Sequence, residues 1–377
     1  MAATEEPPSK KTKHSKLRNE IPEEKVDGNK NIGVNINQES YPPALHLAVE
    51  TQNSGVNNKL VDHKDDIGII YENKTALLLA VEQGNKEMVK ILLKPKKNKS
   101  KVNKRAKDHP TPLTAAIKSG NFEIFQLLIN SGASIKKMIR DDNLLYYTAQ
   151  YNAVEIAEYL IAQGADVNTF ITNAPSPFYR FAPLHVAINC GSFEVAQLLI
   201  NSQANVHTTT RRNRTPLDLA IERGNYRIFK LLVDSGATVD LSFKNTNRSH
   251  WAAYHNSLEI AQYLLSIGDD IHFNCFCRRS DFYRYTPLHV AIQRESVKVA
   301  RFLISKGADV NICGKNGESP LTIAIEKKNS ELFQLLLDTG AEINDCPDKV
   351  LPLHQAIAVN NSYVTKFLLA LAVLQPQ

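Results

Sequence analysis

The chain has 377 residues, 43% of them hydrophobic, and a formal charge of +6 from 45 Lys and Arg against 39 Asp and Glu. No run approaches the roughly 18 apolar residues of a membrane-spanning helix, and the opening MAATEEPPSKKTKHSK lacks the apolar core of a signal peptide, so neither a membrane span nor the usual secretory route is expected. Five scattered cysteines, an odd number, suit a reducing compartment better than a disulfide framework, so the expected location is cytoplasmic, nuclear or both.

Residues 1–40 are polar, rich in Lys, Glu, Asn and Pro, and carry no helical or alternating apolar pattern, as in a disordered tail. Lys10, Lys11, Lys13, Lys16 and Arg18 within it have two readings, a nuclear-import signal or a solvated charged tail. From residue 41 to 377 one pattern recurs, clearest in Phe282–Asn311, FYRYTPLHVAIQRESVKVARFLISKGADVN. Thr286 is placed to cap a helix and Pro287 to open it. Leu288, Ala291 and Ile292 form one apolar stripe, Val299, Ala300, Leu303 and Ile304 a second, with a break near Glu295–Ser296. Gly307 then supplies a residue for positive φ, and Ala308–Asn311 leave as a turn. Each helix is shorter than the roughly 12 residues an isolated helix needs, so each unit must bury its stripes against neighbouring copies.

The alanine of this unit recurs at Ala48, Ala80, Ala116, Ala187, Ala220, Ala252, Ala291, Ala324 and Ala356, with Thr148 in the same slot. The repeat length and the T-P-L-H-x-A element, best kept at Thr286–Ala291, Thr215–Ala220, Ala182–Ala187, Ser319–Ala324 and Leu351–Ala356, resemble the ankyrin-repeat family. The resemblance implies an all-α ankyrin-repeat α-solenoid of about ten repeats over residues 41–377, with projecting β-turn fingers and a concave face that binds partners. A second period of 104 residues relates Ala116, Ala220 and Ala324, and Ala187 to Ala291, so the array grew by triplets.

In chain order, the first repeat, Pro42–Asn58, has a poor second half, NSGVNNKLVDHK, and is expected to be a worn terminal cap. The second loses the fingerprint Pro and His but keeps the apolar spacing. Next comes KPKKNKSKVNKRAKDHP, with eight Lys or Arg between Lys94 and Lys107, in place of the usual turn. Further basic finger residues are Lys136, Lys137 and Arg140; Arg211, Arg212 and Arg214; Lys244 and Arg248; and Arg278, Arg279 and Arg284. A line of such charge steers an acidic partner, or is merely a solvated edge. The fourth and seventh repeats carry Tyr146, Tyr147 and Tyr151, and Trp251, Tyr254 and His255. Trp251 fits inter-repeat packing; Tyr151 and Tyr254, near helix ends, fit exposure and an interface. The two longest connections end in matching elements, Phe178, Tyr179, Arg180 and Phe181, and Phe282, Tyr283, Arg284 and Tyr285. They are two anchors for one extended ligand, or aromatics that fold back on their own loops. The last repeat, apolar on nearly every face from Tyr363 to Leu374, implies that the chain continues past Gln377 or that another domain or subunit covers this end.

No nucleophile, paired acid or phosphate-binding motif is present, and no cofactor is implied. The histidines at the fourth fingerprint slot, His46, His185, His250, His289 and His354, are in the family's pattern structural, tying turns together. His272, Cys275 and Cys277 lack the CxxC spacing of zinc sites, so no metal is assigned. The resemblance also implies candidate asparagine hydroxylation at Asn168, Asn311 and Asn344, whose Leu, Asp/Glu and aliphatic neighbours also serve turn geometry. The chain reads as a non-enzymatic adaptor or scaffold for proteins with acidic segments. The alternative is contact with nucleic acid or anionic membrane through the basic edge.

Overall fold

The structure is a computed structural model that describes residues 42–62, 67–94, 101–107, 109–135, 144–171, 179–239, 248–275, 282–314, 317–343 and 351–374. They lie almost wholly in one compact unit, Ala44–Gln377. Among them are ten pairs of helices, and the fold is an ankyrin-repeat α-solenoid. The shorter member of each pair spans Ala44–Glu50, Ala76–Glu82, Pro112–Lys118, Leu144–Tyr151, Pro183–Cys190, Pro216–Glu222, Arg248–Tyr254, Pro287–Gln293, Pro320–Glu326 and Pro352–Ala358. The longer member spans Ser54–Asp62, Lys86–Leu93, Phe122–Asn130, Val154–Ala162, Phe193–Asn201, Tyr226–Asp234, Leu258–Ser266, Val297–Ser305, Ser330–Asp338 and Ser362–Leu374.

Local chemistry sets these boundaries. Thr75, Thr111, Thr215, Thr286 and Ser319 cap the short helices, each side-chain oxygen accepting from the amide three residues on. Asn85, Asn121, Asn225 and Asn329 cap the long helices in the same way, at 3.0 Å. Proline opens six of the short helices, where its missing N–H is no loss. The first finger is a small hairpin, Ile70–Tyr71 against Lys74–Thr75, turned by Glu72 and Asn73, both at positive φ as a two-residue hairpin turn demands.

The recurrent alanine slot is the axis of packing. Thr148 and eight of the nine alanines there are 0% exposed, so adjacent short helices meet at a spot where only a small side chain fits. Fingerprint histidines tie each repeat to the next finger: Nε2 lies 3.0 Å from the Lys74 carbonyl in His46, 3.1 Å from Thr208 in His185, 2.7 Å from Tyr285 in His250 and 3.3 Å from Glu318 in His289. In His289 the other nitrogen bonds the Thr286 hydroxyl at 2.8 Å. In His185 it accepts from the Ala182 amide, so Nε2 is the donor. His354, by contrast, is exposed.

The poor second half of the first repeat forms the helix Ser54–Asp62, with Val61 buried and the buried Asn57 amide donating to the Met88 sulfur. One reading of the sequence is corrected here. The basic run does not replace the finger turn. Val102 is 1% exposed, as buried as Val167, Val206 and Val310 in other fingers, and Asn103 bonds the next finger as other finger asparagines do. Lys101-Val102-Asn103 is therefore the turn itself, preceded by an insertion. At the last repeat, Leu351, Ile357, Tyr363 and Leu369 are exposed. The expected tail, residues 1–40, lies outside the described residues.

Candidate interaction surface

The two long connections close in the same way. The amide of Ile171 donates to the Phe181 carbonyl (2.9 Å) and that of Arg180 returns to Ile171 (2.7 Å). One triplet later, the amide of Cys275 donates to Tyr285 (3.2 Å) and that of Arg284 returns to Cys275 (2.6 Å). Ile171 and Cys275 are buried, so each clip is rooted in the core. Arg180 and Arg284 both sit at φ 61, a left-handed conformation that costs a residue with a Cβ about 1–2 kcal/mol. Both are exposed, and among the described residues neither pairs with a carboxylate.

The aromatic residues divide by position. Tyr179 is 37% exposed, and Tyr283 is half-buried. Phe181 packs on His185 and Tyr285 stacks on His289 (5.4 Å, 7° between planes), so these rings cover the fingerprint histidines of their own repeats. The Tyr285 hydroxyl donates to Glu318 at 2.6 Å, and burial and that carboxylate both push its ionisation up.

Phe282 is not an exposed anchor. It is 3% exposed and packs against Trp251, His250 and Tyr254, at 4.8, 5.5 and 6.0 Å between centroids. The thick aromatic face of the seventh repeat leaves a slot that the ring fills. Tyr254 is therefore half-buried and not free, with the Arg294 guanidinium 3.8 Å from its ring centroid. Tyr151 is 38% exposed, with the Lys118 ammonium 6.0 Å from its ring. Arg294 escaped the sequence reading. The signal for it is its slot three residues after the recurrent alanine, which holds Arg223, His255, Arg294 and Lys327 in successive repeats.

Among the basic finger residues, Lys104, Arg105, Lys107, Arg211 and Arg212 are exposed. Arg214 is held by Glu222 at 2.7 Å. Arg248 is not on a finger edge at all: it begins a helix, is 4% exposed and bonds Asp218 at 2.7 Å. Finger asparagines clamp neighbouring repeats. Asn168 accepts from the Asn205 amide (2.8 Å) and donates to the Gln203 carbonyl (3.5 Å); Asn311 accepts from Glu342 (2.9 Å) and donates to Gly340 (3.2 Å). Phe178, Arg278, Arg279, Asn344, Lys136, Lys137, Arg140, Lys244 and Cys277 lie outside the described residues. Among the described residues no group of three or more His, Cys, Asp or Glu is placed to hold a metal ion, and no helix is long and apolar enough to cross a membrane.

A stack of capped helix pairs, with a recurrent alanine seam and turn-tipped fingers, defines a repeat-built interaction module. The sequence model described as ankyrin repeats (3 copies) matches residues 24–105, 96–171, 172–245, 242–314 and 308–373, and the chain belongs to this family. It is similar to human Transient receptor potential cation channel subfamily A member 1 (29% identical over 276 residues, 71% of this chain and 21% of that protein). It is also similar to bovine Ankyrin repeat and SOCS box protein 3 (36% identical over 181 residues, 47% of this chain and 33% of that protein). The match thus spans about a fifth of the first of these proteins and a third of the second. Among solved structures, the human ASB11 ankyrin repeat domain matches with a TM-score of 0.46 at 25% identity, covering 59% of this chain and 96% of that domain.

Proposed function

We propose that this chain is a non-enzymatic protein-interaction scaffold or adaptor that holds an acidic segment of a partner across its concave face and fingers. The observation that carries this reading is the pair of clips. Two arginines occupy the same strained backbone conformation, one triplet apart, beside tyrosines that are not buried. Non-glycine residues kept in left-handed conformations point to function when the surroundings over-determine them. Three repeats separate the clips, roughly 30 Å at about 10 Å per packed helix, a spacing an extended segment of nine or so residues covers. Exposed Lys104, Arg105, Lys107, Arg211 and Arg212 on other fingers supply the field that draws in such a segment.

Ankyrin repeats serve as interaction modules, which supports the class; the acidic partner, the adaptor role and a cytoplasmic or nuclear setting are our inference. Asn168 and Asn311 are carried with it as candidate hydroxylation sites, tested by the mass of the protein taken from its own cell. The main test is a binding titration with a Glu/Asp-rich peptide and with duplex DNA at low and moderate salt. The reading expects peptide binding that weakens about tenfold when Arg180→Gly and Arg284→Gly are combined. Tighter binding to DNA, indifferent to sequence and steeply salt-dependent, overturns it in favour of nucleic acid.

A further inference from the structure

The sixth and seventh repeats meet through charge where their counterparts one triplet earlier meet through apolar and small side chains. Thr114, Leu144, Leu145 and Ala165 recur 104 residues later as Asp218, Arg248, Ser249 and Asp269. Leu144 and Leu145 are at most 1% exposed, and their replacements Arg248 and Ser249 are each 4% exposed, so the new polar groups occupy core positions. Arg248 Nε bonds Asp218 Oδ1 at 2.7 Å, and the Ser249 hydroxyl donates to the Asp269 carboxylate, on which Arg248 also acts. One guanidinium thus bonds one carboxylate and lies within Coulombic range of a second.

Such a network holds helices together less well than the apolar set it replaces. A buried ion pair spends most of its attraction on desolvation, and a surplus carboxylate adds to that penalty. Among neighbouring short helices of the described residues, Pro216–Glu222 and Arg248–Tyr254 pack about as closely as most others, so the weakness lies in the chemistry of the junction. Leu144–Tyr151 with Pro183–Cys190, and Arg248–Tyr254 with Pro287–Gln293, share the most contact; these are the two junctions that carry the clips.

We propose that the junction between the sixth and seventh repeats is a hinge of the solenoid, whose tightness is set by the charge on the Asp218–Arg248–Asp269 network. Of the nearby titratable groups, Glu222, held by Arg214, acts on Asp218, and Asp270 acts on Asp269; His250 shares the Arg248 helix but bonds the Tyr285 carbonyl, and His255 Nε2 lies 3.0 Å from the Glu222 carbonyl. Lys306 lines the cleft into which Asp269 opens. Burial pushes the Asp269 carboxyl up, against the opposing pull of Ser249 and Arg248. A carboxylate raised on folding adds stability as pH falls through its folded value, so proton uptake leaves one cation facing one anion and closes the junction. The hinge lies between the clips, so its opening changes their separation, but it stands whether or not they bind anything.

Hydrogen exchange of the full chain, read by mass spectrometry at steps from pH 7 toward pH 4 and corrected for intrinsic rates, tests this. Amides of 216–222 and 248–254 are expected to open more readily than those of 183–190 and 287–293, which carry the equally lowered His185 and His289, and that gap is expected to narrow at the lower pH. Asp269→Asn, which keeps the Ser249 bond without the charge, is expected to remove that narrowing. Installing the earlier set, Asp218→Thr, Arg248→Leu, Ser249→Leu and Asp269→Ala, is expected to slow opening at least about tenfold. Equal protection along the array, or a narrowing that survives Asp269→Asn, overturns the proposal. The single isosteric variant decides it even where the fourfold one does not fold.

Discussion

The ring of Phe282 meets Trp251 edge-on at 4.8 Å, so the residue that opens the second Phe-Tyr-Arg element is a core residue of the repeat before it. Its burial fixes where Tyr283 and Arg284 emerge. Phe282→Ala is expected to lower stability by about 3 kcal/mol, as for other buried phenylalanines, read as a shift of the urea midpoint with the slope unchanged. Tyr179→Ala, at an exposed site, is expected to stay within about 0.5 kcal/mol.

Arg180 and Arg284 at φ 61 make an unusual prediction. Glycine relieves their strain, offset in part by the greater freedom it gives the unfolded chain, so Arg284→Gly is expected to hold or raise stability by up to about 1 kcal/mol. Arg284→Ala keeps the Cβ and is expected to change nothing. Thermal unfolding of the two variants side by side checks the difference.

Two glycines in the same turn slot separate backbone strain from close approach. Gly84 (φ +68) faces open space, whereas a Cβ on Gly224 (φ +63) would overlap the His255 ring. Gly84→Ala is expected to cost about 1 kcal/mol and Gly224→Ala about twice that, with the His255 bond to Glu222 broken. Chemical denaturation gives the costs, and the His255 ring resonances report the contact.

The buried histidines set the response to acid. Burial lowers His185, His250 and His289 to about 4, and lowers His46 as well. A base lowered on folding gives stability that is present above its unfolded value of 6.5 and is lost as pH falls toward 4. Each of the three contributes roughly 3 kcal/mol when the full range is crossed. Asp269 and Glu222, raised by burial, act in the opposite direction. The histidines prevail by number, so the melting temperature is expected to fall steadily from pH 7 to pH 4. His289→Gln is expected to shallow that slope.

The fold is legible in the sequence because the alanine slot and the apolar stripes recur through ten repeats, with Thr, Ser or Asn caps at about half of the helices, and each copy corrects the next. What a single segment does was harder to see. Phe282 and Arg248 look like loop residues in a linear reading, since nothing in their neighbours' order shows that an aromatic slot or the Asp218 carboxylate waits one repeat earlier. Val102-Asn103 was hidden by the lysines around it, although its Val-Asn pair matches other fingers. The matching Phe-Tyr-Arg elements mark the clips as a pair, but their shared backbone bonds and left-handed arginines belong to three-dimensional structure.

In the proposed function both clips grip one partner. The measurement that meets it most directly is affinity capture from matched cell lysate, followed by titration of the captured protein against wild type, each single-clip variant (Tyr179→Ala with Arg180→Gly; Tyr283→Ala with Arg284→Gly) and their combination. One acidic partner is expected, binding each single variant more weakly and the combination weakest, with the fold unchanged. Equal affinity for wild type and the combined variant would contradict this.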